Sequence, residues 1–176
     1  MLFYCLNALE REFDMTDITR ELTAYVLVRT DLPSMNPGKM AAQVHHAGVQ
    51  MMAKHGKRKL VQDYVNDGID QGAIYFNTTI VLGATLNDIV QRGQAAGAAS
   101  EDVVVFNTIT DPSYPFFVES EEIANLIPQT DTIKIVKVLD NGRVLMVREE
   151  VTCAWFIGDR NDIRFRCLFE GLNLHP

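Results

Sequence analysis

Residues 24–30 (AYVLVRT) are almost all apolar or β-branched, at odd and even positions alike. Successive side chains of a strand point to opposite faces, so such a run is stable only where both faces of the sheet are covered. The segments that follow supply the cover. Asn36 and Pro37 fit the N-cap and first turn of a helix, and Met40, Val44, Ala47 and Met51 recur at helical spacing behind them. A short helix is expected over 60–65, closing at the cluster 66–68, then a strand over 79–84 (TIVLGA). Thr85 and Asp88 fit a variant capping box for a helix that closes at the small residues 95–99, and 103–109 (VVVFNTI) reads as the next strand. This alternation predicts an α/β fold: a three-layer α/β/α domain around a mixed, mostly parallel sheet of about four strands.

The second half changes character. Segments 132–138 and 144–150 flank Asp140-Asn141-Gly142, a strong hairpin signal, and read as a β-hairpin inserted at about 118–150. Segment 151–157 (VTCAWFI) is a further apolar strand, and 161–170 is expected to be helical, although 163–167 also alternates like a strand. The 176 residues suit one domain over 24–176, preceded by an appendage at 1–23 that contains a second methionine, Met15.

The apolar start at 1–9 has no basic cluster before it and is followed by Glu10, Glu12 and Asp14, unlike a secretory signal; no window of about 18 apolar residues exists to span a membrane. The expectation is a cytoplasmic protein without a membrane partner. Cys5, Cys153 and Cys167 are odd in number and lack ligand spacing, so they read as buried small hydrophobes.

Net charge is −7, which on its own argues against a polyanionic partner. The distribution is uneven. Between residues 29 and 60 six cations face Asp31 alone, a net +5, and the remainder carries −12. That stretch also holds His45, His46 and His55 of the four histidines. On its helix a second stripe, Lys39, Gln43, His46 and Gln50, shares one face, with Lys39 in the first turn where the helix end already favours an anion.

Signatures of dinucleotide binding, P-loops, serine-hydrolase elbows and zinc proteases are all missing from the sequence. His45 and His46 are adjacent, so they face different ways, and neither has a carboxylate three or four residues on to complete a metal site.

The strand VLVRTDL followed by PGKMAAQVHHA resembles the type 2 peptidyl-tRNA hydrolases, whose N-terminal signature is a strand ending R-x-D-L and a helix opening G-K-x-A-A-Q-x-x-H-A. Arg29, Asp31, Leu32, Gly38, Lys39, Ala41, Ala42, Gln43, His46 and Ala47 fit it. A weaker likeness runs through 80–84 to Asp111, where the family has a strand ending in aspartate, and resumes over 152–174. After that aspartate the family carries a glycine, a basic residue and a threonine, whereas this chain has proline at position 115.

The resemblance implies hydrolysis of the ester between a peptide and tRNA, with peptidyl-tRNA as partner and no metal or organic cofactor. Lys39 would stabilise the oxyanion and Asp111 would orient or deprotonate water, with His46 beside them. Arg29, Asp31, Gln43 and Ser113 would bind substrate, and Lys57, Arg58 and Lys59 would contact phosphates. Two other readings stay open: a non-catalytic RNA-binding or regulatory module on the same fold, and a hydrolase of another acyl or amide substrate. Whether the chain forms a homodimer is also open.

Overall fold

The computed structural model describes residues 20–70, 77–123 and 133–176, with side chains described for all of them except 68–70. The expected appendage lies outside the described residues up to residue 19, and its last two residues already belong to the first strand, β1 (Leu22–Arg29). Helices α1 (Pro37–His55) and α2 (Lys59–Asp70) follow, then β2 (Thr78–Ala84), α3 (Leu86–Ala98) and β3 (Val104–Glu119). The chain continues with β4 (Lys134–Val138), β5 (Arg143–Asp159), the single turn α4 (Ile163–Arg166) and β6 (Asn173–Leu174).

Among the described residues the architecture is α/β with a mixed sheet of six strands, ordered β3-β5-β1-β2-β6, with β4 also paired to β5. This corrects the expected count of about four strands. It also corrects the expected parallel character, because among the described residues only β1 and β2 pair in parallel, from Thr23↔Thr78 to Arg29↔Ala84. Segment 151–157 is the cause. It is buried from Thr152 to Gly158 and takes the central place between β1 and β3, antiparallel to both.

Two corrections concern strand ends. Strand β3 runs on to Glu119 instead of stopping at residue 109, and β5 is one strand instead of two. The expected inserted hairpin is therefore not a separate module: its return strand is continuous with the core strand. Pro112 and Pro115 are tolerated because β3 lies at the end of the sheet order and its register shifts between Asp111 and Tyr114. The hairpin turn itself forms as expected, with Gly142 at φ +81°, where a Cβ would be strained, and the Leu139 amide donating to the Arg143 carbonyl. Residues 124–132, including the start of the expected 132–138 strand, lie outside the described residues.

Helix α2 also outruns its expected end and passes through Asn66 and Asp67 to Asp70. These residues and Gly68 are poor helix formers, but each costs only about 1 kcal/mol or less, and no proline enforces a stop.

Alternate residues of the central strands feed two clusters. Ala24, Val26 and Val28 of β1 with Cys153, Trp155 and Ile157 of β5 meet Ala47 of α1 and Leu60, Val61 and Tyr64 of α2. Leu27 with Ala154 and Phe156 meets Ile89 and Ala96 of α3 and Phe165 of α4. The apolar stripe on α1 thus packs as its spacing predicts, with Met40, Val44 and Met51 around Ala47. The 161–170 segment is helical: Asp162 caps α4, and a Cβ on Gly158 would collide with the Phe165 ring that α4 lays across the strand.

Beyond the body of the sheet, β3 and β5 continue as a ribbon joined by β4. One face buries Val118, Val144 and Met146, with Phe116, Ile123 and Ile133 against them.

Candidate active site

The parallel strands β1 and β2 bring the chain out of the sheet at Arg29 and Ala84, and β3 leaves the body of the sheet at Asp111, in the same direction as β1. From β1 the chain crosses a short loop to α1. The Asn36 carboxamide accepts from the Lys39 amide at 3.0 Å, which fixes the helix start and with it the stripe Lys39, Gln43, His46 and Gln50.

That stripe lies over β5 and β3. Gln43 is buried, 4% exposed, and both ends of its amide are engaged: Oε1 accepts from the Thr152 hydroxyl at 2.7 Å, and Nε2 donates to Asp111 Oδ2 at 3.2 Å. The other oxygen of Asp111 accepts from the Ser113 backbone N–H at 2.9 Å. This short turn occupies the register shift of β3. Lower on the helix, Gln50 accepts from the Trp155 indole at 3.0 Å and donates to the Thr108 carbonyl at 3.2 Å, so the last member of the stripe is part of the core.

Lys39, half-buried at the top of α1, donates from Nζ to the Pro115 carbonyl at 3.2 Å and sits 4.8 Å from the centre of the Tyr114 ring. Burial lowers its pKa below the ordinary lysine value, and the negative charge of Asp111 works against that shift. Lysine and carboxylate therefore feel each other at one end of the sheet. A cation beside a carboxylate at a strand end can stabilise a developing oxyanion and orient an attacking water.

Arg29 is 5% exposed: it pairs with Asp31 through Nε, and its Nη1 lies 2.9 Å from both Glu150 Oε1 and the Val151 carbonyl. Asp31 also accepts from the Leu86 amide at the start of α3. Burial pushes the Asp31 carboxyl up, but Arg29 and the Leu86 amide together hold it below its usual range. Glu150 is the register partner of Asp111 and also binds Arg148. This network ties β1 to the base of the ribbon.

The remaining expected residues are not gathered here. His46 is exposed, with its ring 6.1 Å from that of His45, and it bonds neither Lys39 nor Asp111. Lys57, Arg58 and Lys59 lie past the far end of α1, roughly 27 Å from Lys39 at 1.5 Å per helical residue. Arg58 pairs with Glu101, and Lys59 with Asp63 at 2.8 Å. Among the described residues, no three His, Cys, Asp or Glu side chains converge to hold a metal ion.

Sequence reasoning missed Tyr114, Glu150 and Thr152 as site neighbours. The available signal was the stretch 144–157, which no Gly, Pro, Asn or Asp interrupts. It marks one continuous strand but not its partner, which only the register with β3 supplies.

The first strand of the mixed sheet thus leads to a lysine-bearing helix, and a carboxylate stands at the register shift of β3, on the far side of β5 from β1. Residues 22–104 match the family model described as peptidyl-tRNA hydrolase PTH2, just under half of the chain. The match supports membership of that family. It spans β1 to the start of β3, so it includes Lys39, Gln43 and His46 and ends before Asp111. A search of curated proteins found no match. Among the described residues, no helix is long and apolar enough to cross a membrane.

Proposed function

We propose that this protein hydrolyses the ester joining a peptide to the ribose of tRNA in peptidyl-tRNA, acting in the cytoplasm as a single α/β domain over 24–176 and recycling the tRNA. Water attacks the ester carbonyl, the bond to the ribose oxygen breaks, and peptide acid and tRNA leave. Asp111 orients the water, takes its proton and returns it to the departing ribose oxygen, and Lys39 stabilises the oxyanion. The family match supports this reading at the level of the family.

The observation that carries it is the Gln43 to Asp111 hydrogen bond, which joins the helix motif to a carboxylate 68 residues away in sequence. Gln43 acts here by orienting Asp111, because its buried amide is already engaged. His46, exposed one turn further along the same face, is free to meet the substrate, and Ser113 borders the carboxylate. The cations 57–59 would meet tRNA phosphates remote from the ester. All of these residues come from one chain, so the chemistry does not require a homodimer.

A non-catalytic RNA-binding role is the second reading, favoured by one contact: the Pro115 carbonyl already takes one of the three donors of Lys39. A single-turnover assay with peptidyl-tRNA, run beside tRNA binding, separates the two. Release of peptide supports the enzyme; tight binding without release overturns it in favour of the binding module.

A further inference from the structure

We propose that Ser34 and Tyr114 are positioning residues that seat the Lys39 ammonium against the Pro115 carbonyl for the chemistry of this site. The proposal rests on the hydrolase reading above for its purpose, and on geometry for its content.

The Pro115 carbonyl receives two donors, Ser34 Oγ at 3.0 Å and Lys39 Nζ at 3.2 Å, which fill its two lone pairs. Ser34 Oγ also lies 3.0 Å from the hydroxyl of Tyr114, a side chain only 2% exposed. The same Tyr114 presents its ring to the ammonium at 4.8 Å. Ser34 comes from the loop between β1 and α1, Lys39 from α1, and Tyr114 and Pro115 from the start of the ribbon. Three separate stretches of chain thus converge on one carbonyl oxygen.

A lysine on a helix end normally sweeps a wide volume, because its four-carbon stem rotates freely. Here one N–H is committed to the carbonyl and one side of the ammonium to the ring. The head is held within the field of Asp111, and two N–H groups remain for a substrate. The carbonyl can serve as a fixed seat because Ser34, itself braced by Tyr114, restrains it from the other side. A lysine placed this way is aimed before substrate arrives, and preorganisation of this kind is where positioning residues gain rate.

The test uses the full chain with Ser34→Ala, Ser34→Thr, Tyr114→Phe and Tyr114→Leu. The readouts are ¹⁵N NMR of Lys39 Nζ in the substrate-free protein and single-turnover hydrolysis of peptidyl-tRNA. Ser34→Ala should move the Lys39 Nζ resonance and lower kcat by about tenfold at nearly unchanged KM, and Ser34→Thr should restore both. Tyr114→Leu removes the ring as well as the hydroxyl, so Lys39 should titrate at lower pH than in wild type, whereas Tyr114→Phe keeps the ring but loses the brace on Ser34 and should move the Lys39 resonance and kcat in the direction of Ser34→Ala. The charged groups facing this seat are Asp111 of β3, Arg29 of β1 and Glu150 of β5, and none is altered by these variants.

A Lys39 resonance that ignores Ser34→Ala overturns the proposal, whether or not the protein is a hydrolase. So does full kcat in that variant of an active enzyme. If wild type cleaves no peptidyl-tRNA, the functional reading fails while the NMR arm still decides the seating. If Tyr114→Leu does not fold, the Ser34 variants decide it alone.

Discussion

The amide of Gln43 donates to Asp111 at 3.2 Å while accepting from Thr152 at 2.7 Å, so a glutamine on α1 reads the register shift of β3 and the middle of β5 at once. Because an ionised carboxylate can only accept, Asp111 fixes which end of the amide is the donor, and the oxygen end is left to accept from the Thr152 hydroxyl.

Gln43→Leu should therefore leave Asp111 without its orienting donor and Thr152 with only the Ile109 carbonyl, 3.3 Å away. The expected outcome is a fall in kcat of about tenfold or more, with a stability loss of about 1–3 kcal/mol for the broken buried bonds. Gln43→Glu should be worse, since it sets a second carboxylate against Asp111. Urea unfolding together with single-turnover rates checks both. Equal kcat in Gln43→Leu and wild type would make the glutamine purely a core residue.

Arg29 offers a different separation, because it was expected to bind substrate and lies buried against Glu150, whose side chain is 11% exposed. Glu150→Ala removes one of the two carboxylates around the buried Arg29 and leaves it Asp31 and the Val151 carbonyl, so it should destabilise the fold by about 1–3 kcal/mol, with its effect on hydrolysis following from that loss. If Glu150→Ala is instead fully stable yet inactive, the pair belongs to substrate binding.

How much of this could be read from the sequence depends on how local each feature is. The strand at 24–30 and the helix cap at Asn36 and Pro37 are written in short-range patterns, and both form where expected. The capping box of Thr85 and Asp88 is equally local and is present in full. The path of β3 past residue 109 is not local: Asp-Pro-Ser-Tyr-Pro is turn chemistry in isolation, and only pairing with β5 makes it an edge strand with a bulge. The insertion of β5 between β1 and β3 is a long-range choice that no window of sequence contains. For that reason Lys39, Gln43 and Asp111 were legible as a motif and a strand end, while Tyr114, Glu150 and Thr152 emerge only through register.

Acid should weaken the fold partly through Asp88. Its carboxylate accepts from the Thr85 amide at 2.9 Å and the Thr85 hydroxyl at 2.7 Å, and these bonds hold its pKa below the unfolded value of 3.8. The unfolded chain thus binds this proton more readily, so the stabilisation is complete above 3.8 and is lost as pH falls through the lower, folded value. Unfolding free energies of wild type and Asp88→Asn, measured between about pH 2 and 6, should converge at the acid end. A difference that stays constant down to the lowest pH would refute the assignment.

The basic stretch beyond α1 is tested by salt. Neutralising Lys57, Arg58 and Lys59 together should weaken tRNA binding and flatten its salt dependence by about 0.7–0.9 in log K against log salt for each phosphate that is no longer neutralised. Since Arg58 and Lys59 already have acidic partners, Lys57 alone is expected to account for the largest single share. An unchanged slope in the triple variant would assign the stretch to solvent.

The chemistry itself is tested at Lys39 and Asp111. Lys39 sits in the first turn of α1 and Asp111 at the register shift within β3, with neither side chain in the apolar clusters, so Lys39→Ala and Asp111→Asn should both fold. Each is expected to lower peptidyl-tRNA hydrolysis by roughly a hundredfold or more, the loss that follows removal of one oxyanion donor or one general base. The double variant should be little worse than either single one, because a cation and a carboxylate acting on one ester work as a unit. The pH dependence adds an independent check: burial lowers the Lys39 pKa, so the alkaline limb of the rate should fall below the ordinary lysine value of 10.5 and vanish in Lys39→Ala. Strictly additive losses, or an alkaline limb that survives Lys39→Ala, would mean that the two residues do not share one transition state.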